Sequence, residues 1–263
     1  MSSPNPSSPE RKVVVITGAS SGIGAALALE CHRRGHTPVL AARREAELAR
    51  VAASAGDALF IPTDVTRRQE VERMIAKTLE RHGRVDVLVN NAGRGISRLV
   101  SELTDEDIDE MMTVNVKSVL YGMQAVLPHF KARGTGHIIN VSSMLGRVPF
   151  YPVRSAYSAS KHFVNALTAN LRMELSQSHP GIAVSLFSPG VVATEFGIHA
   201  RHGGADSRVL PNAQPPQEVA ALIADLIDSR AADVYSRPVY KASVIAYYSA
   251  EDITAVERGF MRR

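Results

Sequence analysis

The stretch Lys12-Val13-Val14-Val15-Ile16-Thr17-Gly18-Ala19-Ser20-Ser21-Gly22-Ile23-Gly24 decides the fold. Its first half, residues 12–17, is a β-branched run that is apolar without alternation, the composition of a strand covered on both faces. Glycines interrupt the run, and Ile23, Leu27 and Cys31 then recur at helical spacing through residue 34. A strand, a glycine-rich turn and a helix in that order bring free backbone amides to the start of a helix, where an anionic group can approach the main chain closely.

Outward from this stretch the alternation continues. Strands are expected at 37–41, 58–62, 85–90, 137–142 and 182–188, and helices at 45–53, 68–81, 105–129 and 155–178. Strictly alternating elements predict an α/β fold: one doubly wound domain over residues 11–235, its mainly parallel sheet flanked by helices on both faces. Ligands of such sheets gather at the carboxyl ends of the strands. Residues 191–214 show little periodicity and several Gly, His and Arg, and are expected to form a mobile lid over that edge. Residues 215–230 read as a helix and 234–235 as a short strand, while the tail 236–263 has no assignable pattern.

Composition narrows the function classes. Residues 1–10 are almost all Ser, Pro and Asn, which predicts a disordered tail and no secretion signal. No apolar run approaches the roughly 18 residues of a membrane span. The single cysteine, Cys31, excludes an internal disulfide and suits the cytoplasm. The 30 Lys and Arg are interspersed with 26 Asp and Glu, so the net charge of +4 gives no basic patch for nucleic acid. None of the nine His has a metal-ligand spacing, and no catalytic metal is expected.

The glycine spacing resembles the classical short-chain dehydrogenase/reductases, and further segments match that family in order over nearly the whole chain. These are Asn90-Asn91-Ala92-Gly93, Asn115, Tyr157-Ser158-Ala159-Ser160-Lys161, and Pro189-Gly190 with Thr194. The resemblance implies a Rossmann-like catalytic domain that binds a nicotinamide dinucleotide and moves a hydride to or from a carbonyl or secondary alcohol. By that resemblance Gly18, Ser20, Ser21, Gly22, Ile23 and Gly24 hold the pyrophosphate, Asp64 and Val65 the adenine, Asn91, Ala92 and Gly93 the cofactor-side backbone, and Pro189, Gly190, Val192 and Thr194 the nicotinamide amide. At the end of the second strand, where an acid would favour NAD(H), stand Ala42 and then Arg43 and Arg44. A guanidinium there pairs with a 2′-phosphate, so NADP(H) is favoured and NAD(H) remains possible. Ser21 occupies the place where some NADP-preferring relatives carry a basic residue.

For the chemistry, Tyr157 and Lys161 lie four apart on one helical face. A cation at about 4 Å, at an effective dielectric of about 20, contributes roughly 4 kcal/mol, enough to lower the phenol's pKa by up to about three units, with desolvation opposing part of that. Tyr157 is then the expected acid and base. Ser143 can hold the substrate oxygen, with Ser142 as its rival. Ser143 is preferred because Gly146 follows it in the family's Ser-x-x-Gly pattern, although it stands one residue further from the tyrosine than usual, which places an insertion within 147–154. Asn115, by resemblance, stabilises a helix distortion and a proton-relaying water. The alternative function is a catalytically inactive dinucleotide-binding regulator.

Arg94, Ile96, Met144, Leu145, Phe150, Tyr151, Val191, Val192, Phe196, Ile198 and His199 are candidates to line the pocket and favour an apolar substrate. Helices 105–129 and 155–178 resemble those that pair relatives into homodimers or homotetramers. The segment 241–261 could pack on a partner, extend the pocket or touch a membrane surface.

Overall fold

The computed structural model describes residues 11–261; the tail expected to be disordered, 1–10, lies outside the described residues. In chain order the sheet and its connections run β1 (Val13–Thr17), α1 (Gly22–Arg33), β2 (Thr37–Ala42), α2 (Glu45–Ser54), β3 (Leu59–Pro62), α3 (Arg68–His82) and β4 (Val87–Asn90). The second half runs α4 (Asp105–Met111), α5 (Ser118–Arg133), β5 (Gly136–Val141), α6 (Ser155–Ser178), β6 (Ile182–Ser188), α7 (Pro216–Ser229), β7 (Asp233–Tyr235), α8 (Pro238–Tyr248) and α9 (Ile253–Met261). All seven strands are parallel in the order β3-β2-β1-β4-β5-β6-β7. The order reverses between β1 and β4, so a crevice opens outside their carboxyl ends, directly over the glycine-rich turn.

Successive side chains of a strand point to opposite faces. In β1, Val14 and Ile16 pack with Leu27 of α1, Leu48 of α2 and Ile223 of α7. Val13 and Val15 pack on the other face with Met74 of α3, Val126 of α5 and Val164 of α6. Both faces are covered by helices, which is why this strand is continuously apolar.

Two regions depart from the sequence expectation. The helix expected at 105–129 is interrupted by a π-helical turn at Met112–Lys117, and α5 then runs on to Arg133. Periodicity cannot register one wide turn, because it shifts the apolar face by only a single residue. The tail without assignable pattern forms α8 and α9. Pro238 opens α8, where a missing N–H is tolerated, and Val244, Tyr247 and Val256 pack on Met144, Val148 and Phe150. The tail therefore covers the segment that follows β5 in its own chain. Residues 191–214 hold only a short 3-10 turn, Ser207–Val209, and the lid is joined to the loop after β4 by the Ile96–Arg201 bridge and to its own end by the Val192–Gln214 bridge. Among the described residues no helix is long and apolar enough to cross a membrane.

Candidate active site

The cradle at the sheet edge is built from backbone. Gly18 adopts φ +68, and a Cβ on it would come within 2.9 Å of Ala92 Cα, so neither the conformation nor the approach of the β4 loop tolerates a side chain. Asn91 closes this contact, donating from Nδ2 to the Thr17 carbonyl at 2.9 Å, while the Asn91 and Ala92 amides both donate to Thr17 Oγ1 at 3.0 Å. Ser21 precedes α1 without capping it through its side chain, and no acid stands in the first turn. The α1 amides, carrying the positive end of the helix dipole, are thus presented to the crevice. Thr194 overhangs them, its Cγ2 lying 3.2 Å from where a Gly22 Cβ would be. An exposed helix start, a glycine floor and a threonine roof fit a pyrophosphate.

At the far end of the crevice Arg43 and Arg44 are both exposed. Arg44 folds back over the turn, donating from Nη2 to Ser21 Oγ at 2.8 Å and Ser20 Oγ at 3.2 Å. Ser21 itself supplies no charge, but Arg44 brings a cation to that place. Burial works against the Asp64 carboxylate, yet hydrogen bonds from the Thr66 hydroxyl and amide, together with the Arg43 charge, hold it below the usual carboxylate range.

Ser143, Tyr157 and Lys161 converge where β5 meets α6. Gly146 makes this possible: a Cβ there would lie 2.8 Å from Ser142 Oγ and 2.9 Å from Lys161 Cβ. The two serines part company. Ser142 donates to Asn165 Oδ1 behind the site, whereas Ser143 accepts from the Leu145 amide at 3.1 Å, and its hydroxyl stands near enough to the Tyr157 phenol to favour the phenolate. Lys161 Nζ is buried, donates to the Val141 carbonyl at 2.9 Å and stands 5.7 Å from the Tyr157 ring centre. Asn115 is fully buried inside the π-helical turn, not on a helix surface. Its amide exchanges hydrogen bonds with the Arg94 backbone, Oδ1 accepting at 2.8 Å and Nδ2 donating at 2.9 Å, and Nδ2 also reaches Ser160 Oγ at 3.0 Å.

The electrostatics correct one expectation. Burial pushes the Tyr157 phenol up to about 12, opposed by the neighbouring Ser143 hydroxyl and the Arg154 charge. Lys161 does not figure among the lowering influences, and burial brings the lysine itself down to about 8. The downward shift expected from sequence took an ammonium at about 4 Å to outweigh desolvation. Here both groups are buried, and desolvation of the phenolate outweighs the neighbouring charges.

The sequence pattern of the short chain dehydrogenases matches residues 12–203. The chain belongs to the short chain dehydrogenase family. A Listeria innocua protein described as an uncharacterized oxidoreductase is 40% identical over 191 residues, 71% of this chain and 77% of the relative. A Burkholderia phymatum short chain dehydrogenase/reductase solved with NAD superposes with a TM-score of 0.83 at 27% identity, covering 92% of this chain and 94% of that one. A Sphingobium yanoikuyae short-chain dehydrogenase solved with NADPH gives 0.77 at 32% identity, covering 95% of each chain. The protein is an oxidoreductase of this family, built to take a nicotinamide dinucleotide.

In this short chain dehydrogenase the lid lies against the site. Phe196 packs edge-on to Tyr157, ring centres 5.5 Å apart, and Ile96 is fully buried in a small cluster with Tyr157. Other candidate pocket residues have partners of their own: Phe150 stacks on Phe260 of α9 at 3.6 Å and Arg94 pairs with Glu110, while Tyr151 is exposed. The lid is pinned by charge. Asp107 of α4, fully buried, accepts from Arg98 at 3.0 Å, from His202 at 2.8 Å and from Arg201, which also reaches Glu110 at 2.5 Å. Asp107 escaped the sequence reading because its only visible signal is the Thr104-to-Asp107 capping box, a helix-start pattern. Thr17 and Asn165 were missed for a similar reason, since nothing in a sequence tells which strand-end or helix hydroxyl and amide will meet a distant loop.

Proposed function

We infer that the chain is an NADP(H)-dependent dehydrogenase/reductase in which Tyr157 gives a proton to, or takes one from, the oxygen of a carbonyl or secondary alcohol. The observation that carries this reading is the meeting of Ser143, Tyr157, Lys161 and Asn115 at the edge where the glycine-rich turn opens. When bound, the dinucleotide supplies or accepts the hydride. Residues Gly18, Ser20 to Gly24, Asp64, Val65, Asn91 to Gly93, Pro189, Gly190, Val192 and Thr194 would hold it, and Arg43 and Arg44 would pair with a 2′-phosphate.

The chain's own contribution is proton handling and orientation. A phenol held near 12 stays protonated at neutral pH and can donate to a carbonyl oxygen. Ser143, beside that phenol, would accept or donate at the same substrate oxygen and fix its position. Lys161 and Asn115 would steady the phenol's field and route its replacement proton. Ile96, Leu145 and Phe196 support an apolar wall for the substrate. The exposed Phe163 and Met173 of α6 favour a homodimer or homotetramer.

The test is titration of the protein with NADPH and separately NADH, then turnover of a ketone panel. NADPH should bind more tightly, and Tyr157→Phe should lower turnover by about 10²–10⁴ with cofactor affinity kept. Equal affinity for the two cofactors would remove the NADP reading; normal saturated turnover in Tyr157→Phe would remove the tyrosine.

A further inference from the structure

Arg154 stands three residues before Tyr157 at the N-cap of α6, and its main chain is fixed on both sides. Its amide donates to Tyr151 O at 2.8 Å, its carbonyl accepts from the Ser158 amide at 2.8 Å, and the neighbouring Val153 carbonyl accepts from the Arg98 amide at 2.7 Å. The side chain is half-buried. Nη1 donates to the Ile96 carbonyl at 3.1 Å. A Cβ on Gly95 would sit 3.1 Å from Nη1 and 3.0 Å from Phe196 Cε1, and one on Gly204 would sit 3.0 Å from Nη2. The guanidinium is therefore enclosed by the loop after β4 and by the lid, beside the phenylalanine that packs on Tyr157, and its charge is felt by Tyr157.

What distinguishes Arg154 is its charge balance. The other arginines around the lid have carboxylate partners: Arg94 with Glu110, Arg98 and Arg201 with Asp107, and Arg208 with Asp206. Arg154 has none among the described residues, and the charged or titrating groups that act on it are Tyr157 and Tyr151. Of the five N–H donors of a guanidinium, one meets a protein acceptor. A partly buried cation without a counter-charge is unfavourable. The nearby acids cannot relieve it, because Asp107 and Glu110 are already engaged by Arg94, Arg98 and Arg201. The ground around Tyr157 is left with a surplus of positive charge, which draws an anion.

We propose that the substrate carries a carboxylate, bound by the Arg154 fork beneath the lid while its carbonyl or hydroxyl carbon faces Tyr157. This rests on the oxidoreductase reading above. The apolar wall then holds the body of the molecule, so the substrate class is a hydroxy or keto acid with an apolar chain. Arg154 is a specificity-determining residue, matched to a planar carboxylate by its two parallel donors.

The experiment uses the full chain with NADP+ and a series of 2-hydroxy and 3-hydroxy acids of increasing chain length, each beside its methyl ester, which keeps shape and removes charge. The readout is the acid-to-ester ratio of kcat/KM within each protein. The wild type should favour an acid over its ester by about tenfold to a hundredfold, the worth of a charge-assisted hydrogen-bond pair. Arg154→Gln should bring that ratio close to unity, and Arg154→Lys should retain part of it; NADPH binding by each variant reports that it is folded. Esters or neutral alcohols turned over as well as the acids by the wild type would overturn the proposal, as would an acid preference that survives Arg154→Gln. Both results leave the oxidoreductase reading standing. Absence of turnover on acids, esters and neutral alcohols alike would overturn that reading and this proposal together.

Discussion

Lys161 shows how a single residue's energetics and its usefulness diverge. Burial lowers it from an ordinary 10.5 to about 8. Below about 8 the folded and unfolded chains both hold the proton, and the cost of burying the charge is felt in full. As pH rises from about 8 toward 10.5 the folded chain sheds the proton first, and the cost disappears. Lys161→Met should therefore be more stable than the wild type near neutral pH by about 1–3 kcal/mol. That advantage should shrink above the lysine's folded pKa, and turnover should fall by about a hundredfold or more. Calorimetry across pH checks this, and a variant less stable at neutral pH would show that the hydrogen bond to Val141 outweighs desolvation.

At the scale of elements, the lid is held by one acid on a short helix. Asp107 caps α4 and also gathers Arg98, Arg201 and His202, so the helix start and the lid share one carboxylate. Burial opposes its ionisation, but the hydrogen bonds from His202, Arg201 and Arg98 hold it well below the usual carboxylate range. For a depressed acid the stabilisation is present above the ordinary value and lost as pH falls through the folded one, so the latch persists across neutral and mildly acidic pH. Asp107→Asn takes the carboxylate away from Arg98, Arg201 and His202, and leaves Arg98 with no carboxylate partner among the described residues. It should raise the substrate KM by about tenfold, the loss of one charge-assisted hydrogen bond, and quicken proteolysis within residues 191–214. Cofactor affinity should change little, since the glycine-rich turn lies apart; steady-state kinetics and limited proteolysis decide it.

Across the whole molecule, the site depends on the last elements of the chain. Tyr247 of α8 is buried, donates to Glu257 Oε1 at 2.8 Å and meets the Phe150 ring at 5.6 Å. It thereby joins α8 and α9 to the segment that carries Ser143 and Met144. Tyr247→Ala should destabilise the fold by about 2–4 kcal/mol and lower turnover more than NADPH affinity, because the segment it packs on carries Met144, next to Ser143. Equal losses in both would place the tail under the cofactor instead.

The sequence by itself determined the alternation of strands and helices, the crevice over Gly18 to Gly24, and the candidate positions Ser143, Tyr157 and Lys161. It could do so because these depend on local pattern: apolar runs, glycine where the backbone must approach, and residues one helical turn apart. Gly146 is what singles out Ser143 over Ser142 as the candidate in the sequence. Only the tertiary structure decided the π-helical turn that buries Asn115, the fold-back of Arg44 onto Ser20 and Ser21, and the upward pKa of Tyr157. It alone brought Arg201 to Asp107 and left Arg154 without an acid among the described residues. Those features join residues far apart in the chain, and their energies turn on burial and on which charges meet, quantities that a linear pattern does not carry.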